Sequence, residues 1–477
     1  MTSTRSFFRT RAPSGKPFTV SELLGRAERI VQRQHRQTGG SRVELLTSIG
    51  VQYWAQDQDN SAARVLEEAY RLSLEIPEPA TRARASCALA IALARGREPA
   101  RAEALIKEGL RQLSDQSQFI LDRVFCLERG SEVALTQGAA QQAIERAHQA
   151  RELLTKSPFQ SDVLQLDALM QEAEAYRVAG QFEKSSNAYE QASGLLTGLG
   201  RDETQAAIVV LNNWGLAKQF LGRTLDAENL FRRAIAISTT NSAEESVSPM
   251  LLVNYSRVLR ELGRLVEAAG YAERAYDKAQ RAGDQMVLNQ SLFVRASIYR
   301  QAGDLARSAE MVSELEPRLR RSLPAGHLAF ASLGMEQAAI AQSRGDLESA
   351  FAQVSRAVAM ADASIQAGGG DGADYIPTLL LRRSTIELDM GRTDEAASDA
   401  ARALQLVRRN ASPGAFSSRV GLALLAVARA RKAQGNRDEA RAASHSAIEH
   451  LETTLGAAHP DVRAARQLAA DLDSGRP

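Results

Sequence analysis

The chain has 477 residues, 44% of them hydrophobic but only 5% aromatic, and its 59 basic and 57 acidic side chains leave a net charge of +2. That balance gives no support to a general nucleic-acid surface, and no apolar run reaches the roughly 18 residues that a membrane-spanning helix requires. Length alone suggests about three domains, an expectation that the internal pattern of the sequence overrides.

Residues 1–18 read as a basic disordered tail carrying Pro13, Gly15 and Pro17, without the apolar core of a signal peptide. Thr19 or Ser21 can cap a helix within 19–39, running to about Gln37, which would cover the first repeat. From Gly50 onward one pattern recurs ten times: a small residue, another twelve positions on, and a third seven beyond that. The series starts at Gly50, Ala90, Ser131, Ala173, Gly215, Ser256, Ala296, Ala338, Ser384 and Ala428. The seventh unit breaks the third slot with Leu315. In eight units a glycine follows the first member by seven residues: Gly138, Gly180, Gly222, Gly263, Gly303, Gly345, Gly391 and Gly435. Gly96 falls one place early in the second unit, and Asp57 replaces the glycine in the first.

Each unit reads as two amphipathic helices and a tight turn. In Leu211 to Ser238, the residues Leu211, Trp214 and Leu221 mark one apolar stripe, and Leu230, Phe231, Ile235 and Ile237 another. The glycine stands where the first helix must stop, and the small residues where two helices cross closely. Neither helix buries its apolar face alone, so the pairs stack into an α-solenoid spanning 40–455. Gly368–Gly370 and Gly372 lengthen one inter-unit loop as a linker, because the Lys-Ser/Thr of a phosphate loop is absent. Residues 456–477 supply a terminal loop around His459-Pro460, a short closing helix and a tail.

Segments such as LNNWGLAKQFLGRTLDAENLFRRAIAIS and LVNYSRVLRELGRLVEAAGYAERAYDKA resemble tetratricopeptide repeats of the longer type found in kinesin light chains and bacterial regulators. The period of 40 to 46 residues exceeds the roughly 34 of the minimal repeat, the extra length falling in helices or inter-unit loops. The resemblance implies an all-α, right-handed superhelix of about ten helix pairs with capping helices at both ends. The stretch FTVSELLGRAERIV and the repeats after it also resemble the C-terminal repeat region of bacterial serine/threonine protein kinases. No kinase motif accompanies it, which leaves a stand-alone or truncated sensor region of a kinase system as an alternative setting.

No metalloprotease, phosphate-loop, nucleophile-elbow or C-x-x-C motif occurs, so neither catalysis nor a cofactor is expected. His445 and His450, five apart on one helix, do not stack as metal ligands would; His327 and His459 occupy similar loops and read as local hydrogen-bonding residues. Cys87 and Cys126 read as small buried side chains in a reduced compartment, which agrees with a cytoplasmic protein.

The first helices of such repeats line the concave groove. Counting the first small residue as position 8, positions 2, 5, 9, 12 and 13 share one face, with 6 at its margin. In units five to seven this face collects Asn212, Asn213, Gln219, Asn254, Arg257, Arg260, Gln290 and Arg300; in units three and four, Glu128, Glu132, Asp167 and Glu174. Amides match an extended peptide backbone, guanidiniums match carboxylates, and related repeat proteins use first-helix asparagines in this way. Asn212, Asn213, Asn254, Arg257, Arg260, Gln290 and Arg300 are therefore the candidate site for a peptide or partner protein, in signalling or regulation, as a scaffold or a peptide-signal receptor. The competing expectation is that they tie neighbouring helices together or face water. Trp54, Trp214, Tyr176, Tyr255, Tyr271 and Tyr299 read as packing residues, and the pairs Arg232-Arg233, Arg320-Arg321, Arg382-Arg383 and Arg408-Arg409 as solvated helix faces.

Overall fold

The computed structural model describes residues 20–33, 39–56, 58–95, 98–158, 161–240, 247–366, 372–409 and 411–474. The expected N-terminal tail, Asp57, Gly96 and Gly368–Gly370 lie outside them. Among the described residues there is no strand. After the cap α1 (Val20–Arg33), the first and second helices of the ten units alternate along the chain. They are α2 (Gly39–Ala55) and α3 (Asp59–Ser73), α4 (Pro79–Arg95) and α5 (Pro99–Gln112), α6 (Ile120–Thr136) and α7 (Ala140–Lys156), and α8 (Asp162–Val178) and α9 (Phe182–Gly198). They continue with α10 (Gln205–Phe220) and α11 (Thr224–Thr240), α12 (Pro249–Glu261) and α13 (Leu265–Ala282), and α14 (Gln285–Gln301) and α15 (Leu305–Ser322). The last are α16 (Ala329–Ser343) and α17 (Leu347–Gln366), α18 (Gly372–Asp389) and α19 (Thr393–Arg409), and α20 (Ser418–Ala433) and α21 (Arg437–Leu455), followed by the closing helix α22 (Pro460–Asp473). This is a helical-repeat solenoid of tetratricopeptide type.

The repeat pattern explains the pairing. All eight turn glycines adopt positive φ, from 71° at Gly138 to 84° at Gly303, a left-handed conformation that L side chains resist. The first small position lets the partner helix approach: a Cβ on Gly215 would come within 2.8 Å of the Phe231 ring. Three of the slot serines bond across the crossing to the slot twelve residues away: Ser131 Oγ to the Ala143 carbonyl (3.0 Å), Ser308 Oγ to that of Ala296 (2.9 Å) and Ser384 Oγ to that of Ala396 (2.8 Å). These three buried serines thus keep their polar groups satisfied without loosening the contact.

The chain divides into two compact units, residues 1–175 and 176–477. In the first, α1 lies on the opening pair through Leu24, Ala27 and Val31, and buried Glu28 joins Tyr53 Oη (3.3 Å) to the Arg64 guanidinium (2.6 and 2.9 Å). The arginine holds the Glu28 carboxyl below its ordinary range. One expectation is overturned here. Cys87 on α4 and Cys126 on α6 form a disulfide, with Cα atoms 5.3 Å apart. Successive first helices approach closely, and Gly109 on α5 leaves the space, since a Cβ there would fall 2.4 Å from Cys87 Sγ. The cysteines are thus no argument for a reduced compartment, and the expectation of a cytoplasmic protein loses that support. No described helix is long and apolar enough to cross a membrane.

In the second unit the last pair returns to the turns of earlier pairs. The Ser418 amide donates to the Gly222 carbonyl (2.8 Å), the Thr224 and Ser418 hydroxyls meet at 3.1 Å, and Arg419 Nη1 donates to the Phe220 carbonyl (3.0 Å). His459 Nδ1 accepts from the Asp461 amide (3.1 Å), capping α22, and its Nε2 lies 3.0 Å from the Glu261 carbonyl at the end of α12. Donation by Nε2 fits both contacts, so the neutral tautomer with the proton on Nε2 satisfies the ring. His327 makes only the local version, accepting from the Ala329 amide (3.2 Å). Local bonding is the expectation for His459 as well; its second contact instead spans 198 residues. These bonds satisfy carbonyls that helix C-termini leave open. Leu262 adds an apolar contact to the cluster of Val407, Leu424, Leu451 and Val462. The two ends of this stack of pairs are latched together.

Candidate functional site

First helices touch the first helices two elements along (α10 to α12, α12 to α14, α14 to α16, α16 to α18, α18 to α20), whereas successive second helices make no comparable approach to one another. The first helices therefore line the tighter, inner side of the second unit. Along that side the candidate residues join into a ladder of hydrogen bonds. Asn212 Nδ2 donates to Asn213 Oδ1 (2.8 Å), and Asn254 Nδ2 donates to Asn212 Oδ1 (3.0 Å). Gln219 Nε2 donates to Glu261 Oε1 (2.7 Å), which lies 3.5 Å from Arg260 Nη2. Arg257 Nη2 donates to Gln290 Oε1 (2.9 Å). Arg300 Nε donates to Glu336 Oε2 (3.0 Å), whose other oxygen accepts from Ser297 Oγ (2.5 Å). Arg382 Nη1 donates to Gln342 Oε1 (3.1 Å), and Gln342 Nε2 donates to Asp389 Oδ2 (2.6 Å).

Two rows carry most of the ladder. Position 6 supplies Asn213, Asn254, Glu336 and Arg382, and position 12 supplies Gln219, Arg260, Arg300 and Gln342. Placing position 6 at the margin, and the candidates in units five to seven alone, leaves Glu336, Gln342 and Arg382 unfound; extending both rows to units eight and nine finds them. Arg382-Arg383 is not a solvated face. Arg382 is half-buried in the ladder, and Arg383 forms a two-point pair with Asp399 (2.5 and 2.8 Å). The other three arginine pairs are exposed, as expected. Asn254, 3% exposed, stands behind Asn212 and orients it. Asn212, Asn213, Arg257, Arg260, Gln290 and Arg300 are half-buried, with part of each side chain open on the inner side.

The electrostatics are uneven. Burial lowers the affinity of the Arg260 guanidinium for its proton; Arg300 and Arg257 add to the effect, while Glu261 and Glu336 oppose it. Arg382 is pushed down to about 10 by burial first and then by Arg300, against Glu336 and Asp389. In the first unit the acidic group is also partly realised. Burial raises the Glu128 carboxyl to about 7, with Asp167 and Glu132 adding to it and Arg129 opposing, and Glu132 is bound by Arg129 (3.1 Å) and Gln171 (3.0 Å). Trp214 is half-buried and donates Nε1–H to Ser186 Oγ (3.0 Å), so it serves packing and a tie between helices. No group of His, Cys, Asp or Glu that could hold a metal ion occurs among the described residues.

No family model and no curated protein matches the chain. Solved structures do. A Rap protein complexed with competence and sporulation factor superposes with a TM-score of 0.59 at 14% identity, over 78% of this chain and 99% of that one. The apo form of RapI gives 0.54 at 12%, over 77% and 98%. NprR in complex with its cognate peptide NprX gives 0.51 at 12%, over 81% and 98%. At these identities the likeness establishes the helical-repeat fold.

Proposed function

We propose that this chain is a non-enzymatic binding protein that takes up an extended peptide, or an extended segment of a partner protein, on the inner side of its second unit. The observation that carries the reading is the ladder itself. Neighbouring side chains, of which Asn254 and Glu336 are buried, fix half-open amides and guanidiniums on successive first helices, so their donors and acceptors are ordered before any ligand arrives, which lowers the entropic cost of binding. Two of the similar structures, the Rap complex and NprR, are named for complexes with a factor or a peptide. The setting that fits best is regulation or signalling. A peptide-signal receptor and a sensor region of a serine/threonine kinase system are variants of the same binding role.

The second reading is that the ladder only ties repeats together, since each rung already has a protein partner. Selection of binders from a random dodecapeptide library separates the two. The binding reading expects enriched peptides whose affinity falls at least about tenfold in Asn212→Ala/Asn213→Ala, roughly two lost hydrogen bonds, read beside the melting temperature because losing Asn212 Oδ1 also unpairs the buried Asn254 amide. An empty selection, or peptides indifferent to both substitutions, refutes it. Asn254→Ala and Arg257→Ala both break ladder bonds, so their effect on affinity is interpretable only beside their effect on melting.

A further inference from the structure

Away from the inner side, arginines of this chain close tightly on carboxylates. Arg64 meets Glu28 at 2.6 and 2.9 Å, Arg146 meets Glu103 at 2.6 and 3.0 Å, and Arg383 meets Asp399 at 2.5 and 2.8 Å. Each is a two-point pair, the geometry a guanidinium and a carboxylate favour. The inner side departs from this habit. Arg257 and Arg382 bond the neutral amide oxygens of Gln290 and Gln342, and Arg260 reaches Glu261 only at 3.5 Å while that carboxylate accepts from Gln219. Among the described residues Arg300 alone of the four has a carboxylate at hydrogen-bond distance, and by one nitrogen. The carboxylates near this group are Glu261, Glu336 and Asp389, and Asp389 accepts from Gln342.

Cations held in such surroundings lose hydration without gaining a full counter-charge, and Arg260 and Arg382 feel that loss as a weakened hold on their protons. The chain could have relieved it with Glu in place of Gln290 or Gln342, as it does elsewhere. The positions instead hold neutral amides that orient the guanidiniums and leave their charge unmet.

We propose that the inner side of the second unit is a receptor for an acidic peptide segment, with one carboxylate received by Arg257 and Arg260 and a second by Arg300 and Arg382. The proposal rests on the peptide-binding reading above and names the chemistry of the occupant. Packed helices lie roughly 8–10 Å apart, and an extended chain advances about 3.3 Å per residue. Arg300 on α14 and Arg382 on α18 centre on α16, two such spacings from α12, so the segment carries acidic residues about five to six positions apart, and its backbone meets the amides of Asn212 and Asn213. Net charge near zero over the whole chain hides this local excess.

The test uses the full chain and three fluorescent peptides of one length, acetyl-(Glu-Gly-Gly)4-amide and its Gln and Lys counterparts, read by anisotropy. The Glu peptide is expected to bind at least about tenfold more tightly than the Gln peptide, the Lys peptide not at all, and added salt should weaken the Glu complex. Arg257→Gln and Arg382→Gln should each cost about tenfold for the Glu peptide and little for the Gln peptide. Arg382→Lys, which keeps the charge, should recover part of the loss and guards against a folding defect, as does circular dichroism. Equal binding of the Glu and Gln peptides overturns the acidic specificity and leaves peptide binding intact. No binding of any of the three overturns it too, and the library selection then decides the peptide reading separately. Arginine-dependent binding of inorganic phosphate without the Glu peptide assigns the cluster to a small anion and overturns the proposal.

Discussion

Replacing Gly222 by alanine tests the latch of the second unit, and Gly180→Ala supplies a control within the same unit. Both glycines end a first helix with nearly the same left-handed backbone, φ 73° and 71°. Forcing an L residue into it costs about 1–2 kcal/mol at either site. Around Gly180 nothing lies within 4 Å of the point a Cβ would occupy, so the cost ends there. At Gly222 the new atom would stand 2.9 Å from the Ser418 and Arg419 amide nitrogens and 2.3 Å from Ser417 Oγ. The serine side chain can rotate away, but the backbone cannot move without parting the latch. The bonds at stake are Ser418 to Gly222, Thr224 to Ser418 and Arg419 to Phe220. At about 1 kcal/mol for each neutral bond and somewhat more for the charged one, the latch should weaken by about 3 kcal/mol beyond the control. That corresponds to a roughly 100-fold larger open population. Amide hydrogen exchange at Ser418 reads that population directly and should accelerate about 100-fold in Gly222→Ala, with little change in Gly180→Ala. Equal exchange at Ser418 in both variants would refute the latch.

Two further outcomes concern buried charge and the covalent bridge. Glu387 lies beside Asp399, which holds Arg383 at 2.5 and 2.8 Å, while Glu387 stays 3.8 Å from that arginine and its Oε2 has no partner among the described residues. Burial, then Asp399, raises its carboxyl from 4.5 to about 7. The folded state therefore binds this proton more tightly than the unfolded one, and stability falls as pH rises from about 4.5 towards 7, then levels. Glu387→Gln should remove the slope, gaining on the order of 2–3 kcal/mol over the parent at pH 8 and converging with it near pH 5 in denaturant titrations; parallel stability curves from pH 5 to 8.5 would contradict the assignment. Cys126→Ser, or reduction, opens a link spanning 39 residues and should lower the stability of the first unit by about 3–4 kcal/mol, seen as an earlier melting step that reductant no longer shifts in the variant. Unchanged melting of the parent in reductant would count against the bridge.

The repeat was legible because its determinants are local. Gly222 marks a turn wherever it occurs, and Gly215 permits the Phe231 ring to approach whatever the rest of the chain does. The ladder was half legible, since Asn212, Arg257 and Arg300 follow from helical period, whereas Arg382 looks like any surface arginine until its row is traced through later units. The disulfide depends on how closely α4 and α6 approach, which periodicity does not report. The latch depends on accumulated curvature across six helix pairs, so nothing near His459 announces the Glu261 carbonyl.

That closure changes how this stack can vary through time. An open solenoid tolerates tandem duplication or deletion of a repeat, because each unit consults only its neighbours. Here the pair formed by α20 and α21 must arrive where Gly222 and Thr224 wait, and the loop before α22 where α12 ends. One repeat more or fewer would carry Ser418 and His459 past their partners by a whole helix pair. The second unit is therefore counted: its number of repeats is fixed by geometry, and its divergence is confined to side chains and to loops away from the seam.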